Sequence, residues 1–121
     1  MALIRPFLPA SDFAASKAFY EALGFEIGYQ DADLAIFDYE GAGFLLQNLY
    51  VKDWAENLML QLFVRDLDEW WRRTEGLVER FNVQPPRPPR AQQWGLRVGF
   101  LFDPAGVLWQ ASESGKDRDD G

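Results

Sequence analysis

The sequence predicts an α+β fold built from two similar halves, and three observations predict it. Phe7-Leu8-Pro9-Ala10-Ser11-Asp12 runs into a helix-like stretch ending near Phe25, and Leu62-Phe63-Val64-Arg65-Asp66 runs into another ending near Phe81. The tails echo each other: Asp38-Tyr39-Glu40-Gly41 leads to Phe44-Leu45-Leu46-Gln47, and Asp103-Pro104-Ala105-Gly106 leads to Val107-Leu108-Trp109-Gln110. Of the 121 residues 48 % are hydrophobic and 16 % aromatic, enough for a substantial core. A half of about 60 residues buries its apolar sheet face poorly alone. The two halves are therefore expected to pack together, side by side or exchanged between chains, with any site between them.

Each half reads as strand, helix, then strands joined by tight turns. Leu3 to Pro9 is extended, and Pro6 and Pro9 bias it towards a first or edge strand. Asp12 is a plausible N-cap for a helix to about Leu23, with Gly24 as its stop. Ala15, Phe19, Ala22 and Leu23 share one face of it, so Phe19 and Tyr20 are expected in the core. Glu26 to Gln30, Leu34 to Tyr39 and Phe44 to Tyr50 read as strands, with Gly41-Ala42-Gly43 as a hairpin turn. Residues 1–50 make the first module, and residues 51–57, Val51 to Asn57, are expected to be a linker.

The second module spans residues 58–113, beginning with a strand from Leu58 to Val64. Asp66 can cap its helix, with Glu69 completing a capping-box-like arrangement. That helix carries Trp70, Trp71 and Leu77 to about Phe81, and adjacent tryptophans cannot both face one side. Gln84 to Arg90 contains Pro85, Pro86, Pro88 and Pro89 and is expected to lack regular structure. A strand from Leu96 to Phe102, a turn over Asp103 to Gly106 and a last strand from Val107 to Ser112 follow. Residues 114–121 read as a flexible acidic tail.

Composition excludes much chemistry. Cysteine and histidine are both absent, which removes disulfides, thiolate nucleophiles, histidine bases and the usual imidazole ligands. A formal charge of −7 argues against a nucleic-acid partner and suits a cationic small molecule, or simply solubility. No stretch approaches the roughly 20 apolar residues of a membrane span. The start, Met1-Ala2-Leu3-Ile4-Arg5-Pro6, lacks the features of a signal peptide, so a cytoplasmic location and no membrane partner are expected.

Pro6-Phe7-Leu8-Pro9, Asp12, Ala18-Phe19-Tyr20-Glu21 and Leu23-Gly24-Phe25, with Gln93-Trp94-Gly95, Asp103-Pro104-Ala105-Gly106 and Trp109, resemble the vicinal-oxygen-chelate superfamily, the glyoxalase, bleomycin-resistance and dioxygenase fold. Within it the Phe-Tyr-Glu-x-Leu-Gly-Phe run and the Gln-Trp-Gly loop look most like the small bleomycin-resistance-type binding proteins. The resemblance implies a pair of βαβββ modules, a homodimer with exchanged modules and a ligand groove at the dimer interface. It marks the scaffold more specifically than the function, because such folds host many activities.

Enzymes of that superfamily usually hold a divalent metal with His, Gln and Glu. By resemblance, those positions fall near Arg5, Gln47, Met59 and Gln110. A guanidinium repels a cation and a thioether is a poor partner for a hard ion. No metal and no cofactor are expected. The site is expected to work by shape, stacking and charge. The resemblance makes Trp94 the stacking wall and Tyr29 the aromatic on the other side, with Asp31 and Asp33 attracting a positive group. Phe37, Gln47, Trp54 and Phe63 are further ligand-lining candidates. Each has a plainer reading: Trp94 packs on the next strand, and Asp31 and Asp33 form a hairpin's polar rim. Arg87, Arg90 and Arg97 near Trp94 depart from an acidic groove. Two classes of function stay open: sequestration of a small aromatic or cationic molecule without metal, with a bleomycin-type antibiotic as one ligand, or a lyase, isomerase or dioxygenase acting on a small metabolite through carboxylates such as Glu40 and Glu113 or a lysine.

Overall fold

Asp12 starts the first helix: its carboxylate accepts the Ala15 N–H at 3.0 Å, and Asp66 does the same for Glu69 at 3.1 Å. The computed structural model describes residues 2–93 and 95–113. Its elements run β1 (Phe7–Pro9), α1 (Phe13–Ala22), β2 (Glu26–Gln30), β3 (Leu34–Tyr39), β4 (Ala42–Gln47), α2 (Lys52–Asn57) and β5 (Met59–Val64). Then come α3 (Leu67–Trp71), a 3-10 turn (Arg72–Thr74), α4 (Leu77–Phe81), β6 (Arg87–Ala91), β7 (Arg97–Phe102) and β8 (Leu108–Glu113). Two four-stranded sheets result, ordered β1-β4-β3-β2 and β5-β8-β7-β6. The repeat read from the sequence is thus a repeat of topology. In each sheet the first strand pairs parallel to the last and the other neighbours are antiparallel.

Alternation along the strands gives each sheet one covered and one open face. Leu8, Ala35, Phe37, Phe44 and Leu46 of the first sheet and Leu62, Leu101, Trp109 and Ala111 of the second join Phe19 and Tyr20 of α1, and Leu23 just after it, in a single core. The halves share that core because neither covers its own sheet. Glu40 (φ 47°) and Gly41 (φ 89°) form the two-residue turn between β3 and β4, both left-handed as a type I′ hairpin requires.

Tyr20 ties the modules together. Its ring centroid lies 4.8 Å from that of Phe44 and 5.7 Å from that of Trp109. Its hydroxyl donates to Asp103 Oδ2 at 2.5 Å and accepts from Trp109 Nε1 at 2.9 Å. The other oxygen of Asp103 accepts the Ala105 and Val107 N–H groups at 2.8 and 2.9 Å. Burial pushes the Asp103 carboxyl up, against the opposing pull of these donors, and burial beside that carboxylate raises the Tyr20 phenol well above its ordinary range. Asp103 is the turn residue its sequence context predicts, and it is also the anchor of the first module on the second.

Several expectations change, among them the hairpin turn, which falls at Glu40–Gly41 and leaves Ala42 and Gly43 inside β4. Val51 to Asn57 is no plain linker: Lys52–Asn57 is helical, with Asp53 in the first turn and Ala55 buried. The second helix breaks into α3, the 3-10 turn and α4. Thr74 Oγ1 donates to the Trp71 carbonyl at 2.7 Å, and Gly76 (φ 81°) and Asn82 (φ 55°) bound α4 in left-handed conformations. The proline-rich segment carries a strand, β6, because it sits at a sheet edge where missing N–H donors matter least. Its pairing with β7 is interrupted between Arg87 and Arg90, where Pro88 and Pro89 lie. Glu69 lies 3.8 Å from Arg73, so its carboxylate serves an i,i+4 pair. Of the adjacent tryptophans, Trp70 is buried and Trp71 is half-buried against Gly99. The tail at 114–121 lies outside the described residues.

Candidate functional site

The open faces of the two sheets carry the candidate binding surface. On the first sheet, pairing aligns Phe7, Leu45, Ile36 and Tyr29 across the four strands, and Pro9, Gln47 and Leu34 beside them. Phe7 and Tyr29 are about half exposed, at 48 % and 54 %. On the second sheet one row runs Phe63, Ser112, Val98, Arg90, and the next runs Gln61, Gln110, Phe100, Arg87. Met59 and Phe63 project from β5 on that face, 58 % and 48 % exposed. Pro9, Val98 and Ser112 are buried even on these faces, but alternation turns Phe7, Tyr29, Met59 and Phe63 away from the core and explains their exposure on otherwise well-packed strands.

Tyr29 donates its hydroxyl to Asp31 Oδ2 at 2.9 Å, while Asp31 Oδ1 accepts the Asp33 and Leu34 N–H groups at 2.8 and 3.0 Å. Those backbone donors, with Tyr29, hold the Asp31 carboxyl below its usual range, and hydrogen bonding to Asp31 raises the Tyr29 phenol. Asp31 thereby closes the β2–β3 hairpin and keeps a negative charge beside an exposed aromatic ring. Asp33 is exposed at the same turn. Gln47 ends β4 half-buried, and Trp54 is half-buried on α2.

Phe37 needs correction as a lining residue. It is fully buried, stacked on Phe44 with centroids 5.1 Å apart and planes at 14°. Pairing with Phe44 turns it to the core side of β3, so Ile36 faces outward instead. Trp94, the expected stacking wall, lies outside the described residues. Within one chain, Tyr29 and Gln47 share the first sheet's open face, and Phe63 stands on the second's.

A cavity of about 390 Å³ lies between the halves, bounded by Ile4, Pro6, Phe25, Phe44, the β5 edge and Trp109. A second groove, of about 440 Å³, runs along β6 with Val98 and Phe100 as its floor and Arg87 and Arg90 among its walls. Sequence reasoning noted these arginines without placing them in the site. The signal available was their spacing around Pro88 and Pro89, readable as strand only once the edge position was known. Arg97 points the other way, its Nη2 2.6 Å from Asp68 Oδ1 and its Nη1 3.6 Å from Glu113 Oε2.

The positions that the resemblance marks for a metal, Arg5, Gln47, Met59 and Gln110, do not form a donor set. Arg5 lies 3.7 Å from Asp38, and Gln110 Nε2 lies 3.0 Å from Met59 Sδ on the second open face. A guanidinium, a thioether and two amides supply no anionic ligand for a hard cation. Among the described residues no group of three or more acidic side chains is placed to hold one.

Residues 3–111 match the model of the glyoxalase/bleomycin resistance protein/dioxygenase superfamily. The chain belongs to that superfamily. It is 32 % identical over 110 residues to a bleomycin resistance protein of Klebsiella pneumoniae, covering 85 % of each chain. A crystal structure of a bleomycin-binding protein complexed with bleomycin matches with TM-score 0.79 and 28 % identity, over 95 % of this chain and all of that one. A bleomycin resistance determinant encoded on transposon Tn5 matches with TM-score 0.78 and 26 % identity, over 93 % of this chain and 98 % of the other. The superfamily fold expected from the sequence is the fold observed. Among the described residues no helix is long and apolar enough to cross a membrane.

Proposed function

We propose that this superfamily member binds and sequesters a bleomycin-type molecule without transforming it. One observation carries the reading: a bleomycin-bound relative matches nearly the whole chain at 28 % identity and TM-score 0.79. The surface chemistry agrees with it. A large, flat, partly cationic ligand is served by exposed aromatics such as Tyr29 and Phe63, with the Asp31 and Asp33 carboxylates nearby. We place the groove between two copies of the chain, the open first sheet of one facing the open second sheet of the other, in a cytoplasmic homodimer. That arrangement brings Tyr29, Gln47 and Phe63 to one cleft and covers apolar area that a single chain leaves to solvent. Trp94 supplies a stacking wall. The lyase, isomerase or dioxygenase alternative lacks support, because the metal-binding positions carry Arg5, Gln47, Met59 and Gln110.

Titration of the protein with metal-free bleomycin, followed by heat and tryptophan fluorescence, tests this. The expected result is saturable binding, micromolar or tighter, at about one ligand per chain. Phe63→Ala weakens it about tenfold while the thermal melt stays unchanged, as loss of one aromatic anchor predicts. Absence of saturable binding to the wild type overturns the reading.

A further inference from the structure

We propose that the groove along β6 is a binding site for a small aromatic anion, a flat apolar body bearing a carboxylate, sulfonate or phosphate gripped by Arg87 and Arg90. The groove lies on the open face of the second sheet, which the proposed dimer turns towards the partner's first sheet, and every residue lining it comes from one chain. Register carries the argument. Arg87 pairs with Phe100 and Arg90 with Val98, on the face opposite Gly99, which packs on Trp71. Both arginines therefore stand on the face of Val98, which is fully buried, and of the half-buried Phe100, which supplies the exposed apolar part of the floor.

The volume of about 440 Å³ suits a bicyclic ring system. Among the described residues Arg5, Arg73 and Arg97 are each paired with an acid, whereas Arg87 and Arg90, like Arg65, Arg72 and Arg80, are in no ion pair, and these two line one groove. Two guanidiniums that line one groove with no acid in its lining gain by taking an anion, and their planar forks match a carboxylate or phosphate through two parallel hydrogen bonds. The rim is also preorganised. Pro86, Pro88 and Pro89 fix the backbone from which both arginines spring, and Gln92 Nε2 donates to the Arg90 carbonyl at 3.2 Å, so little ordering is left to binding. The same prolines argue against a peptide adding as a further strand, since Pro88 and Pro89 offer no N–H to it.

Calorimetric titration of the full chain with 1-naphthyl phosphate, 1-naphthol and inorganic phosphate tests the site. Expected is saturable binding of the naphthyl phosphate, at least tenfold tighter than either fragment and weakening as salt rises. Arg87→Gln/Arg90→Gln loses at least tenfold in that affinity, Arg87→Lys/Arg90→Lys keeps part of it, and Arg65→Gln, elsewhere on the surface, changes it less than twofold. All three variants alter exposed side chains, and an unchanged thermal melt confirms that they fold. Equal affinity for the alcohol and the phosphate ester, equal affinity for inorganic phosphate, or an unaffected double Gln variant overturns the proposal.

Discussion

Replacing Tyr20 with Phe deletes one oxygen atom and strands two buried groups, which makes it the sharpest test of how the halves are joined. The Tyr20 hydroxyl donates to Asp103 Oδ2 at 2.5 Å and accepts from Trp109 Nε1 at 2.9 Å, and all three residues are buried. Losing a hydrogen bond to a charged group costs about 1.5–3 kcal/mol, and a buried indole N–H left without an acceptor costs about 1–3 kcal/mol more. Ring packing is retained, because Phe keeps the contacts to Phe44 and Trp109. The expected loss is about 3–5 kcal/mol, a large share of the roughly 5–15 kcal/mol typical of a domain. Urea unfolding at pH 7, followed by both tryptophan fluorescence and far-ultraviolet dichroism, measures it with the slope held as a check on compactness. A loss below about 1 kcal/mol would refute the reasoning, since it would mean that Asp103 and Trp109 are satisfied without Tyr20.

Two further perturbations address the same core. Burial raises the folded Asp103 carboxyl above its unfolded value of about 3.9, so its contribution is fullest below that pH and falls as pH rises towards the folded value. The stability of wild type minus Asp103→Asn should therefore decline as pH rises from about 4, and a difference flat with pH contradicts the assignment. Gly99→Ala places a methyl carbon 2.5 Å from Trp71 Cζ3, so the ring must shift at a cost of about 1–3 kcal/mol. Adding Trp71→Leu should restore most of that loss, whereas strictly additive losses in the double variant show that the two residues do not collide.

Much of the fold was legible because local chemistry and periodicity act within a few residues. Asp12 and Asp66 cap helices as short polar side chains do wherever an unpaired N–H turn needs an acceptor. Gly24, at φ 102°, follows α1 at a position that disfavours any side chain. Strands appeared where apolar alternation runs between turn residues, and the echo of the two halves foretold two sheets of one order. The candidate site was less legible. Tyr29, Gln47 and Phe63 fall on open faces, but Phe37 differs from Ile36 only in which side of β3 it takes, and pairing with Phe44 decides that. Asp31 was readable both as a steering charge and as a turn residue; its bonds to Asp33 and Leu34 make it the turn residue while leaving its charge in place.

By itself the sequence determined the scaffold: the capped helices, the hairpin turns, the doubled order of strands, and a set of side chains without histidine or cysteine. Each of these depends on neighbours along the chain. Tertiary structure decided what depends on neighbours across it. It turned a proline-rich stretch into an edge strand, because only the edge tolerates missing donors. It joined Tyr20 to Asp103, far apart in sequence, because one shared core was the only cover for two apolar sheets. It also set Arg87 and Arg90 over Val98 and Phe100 while turning Arg97 to Asp68, a distinction that lies in the register of three strands and the side each residue takes.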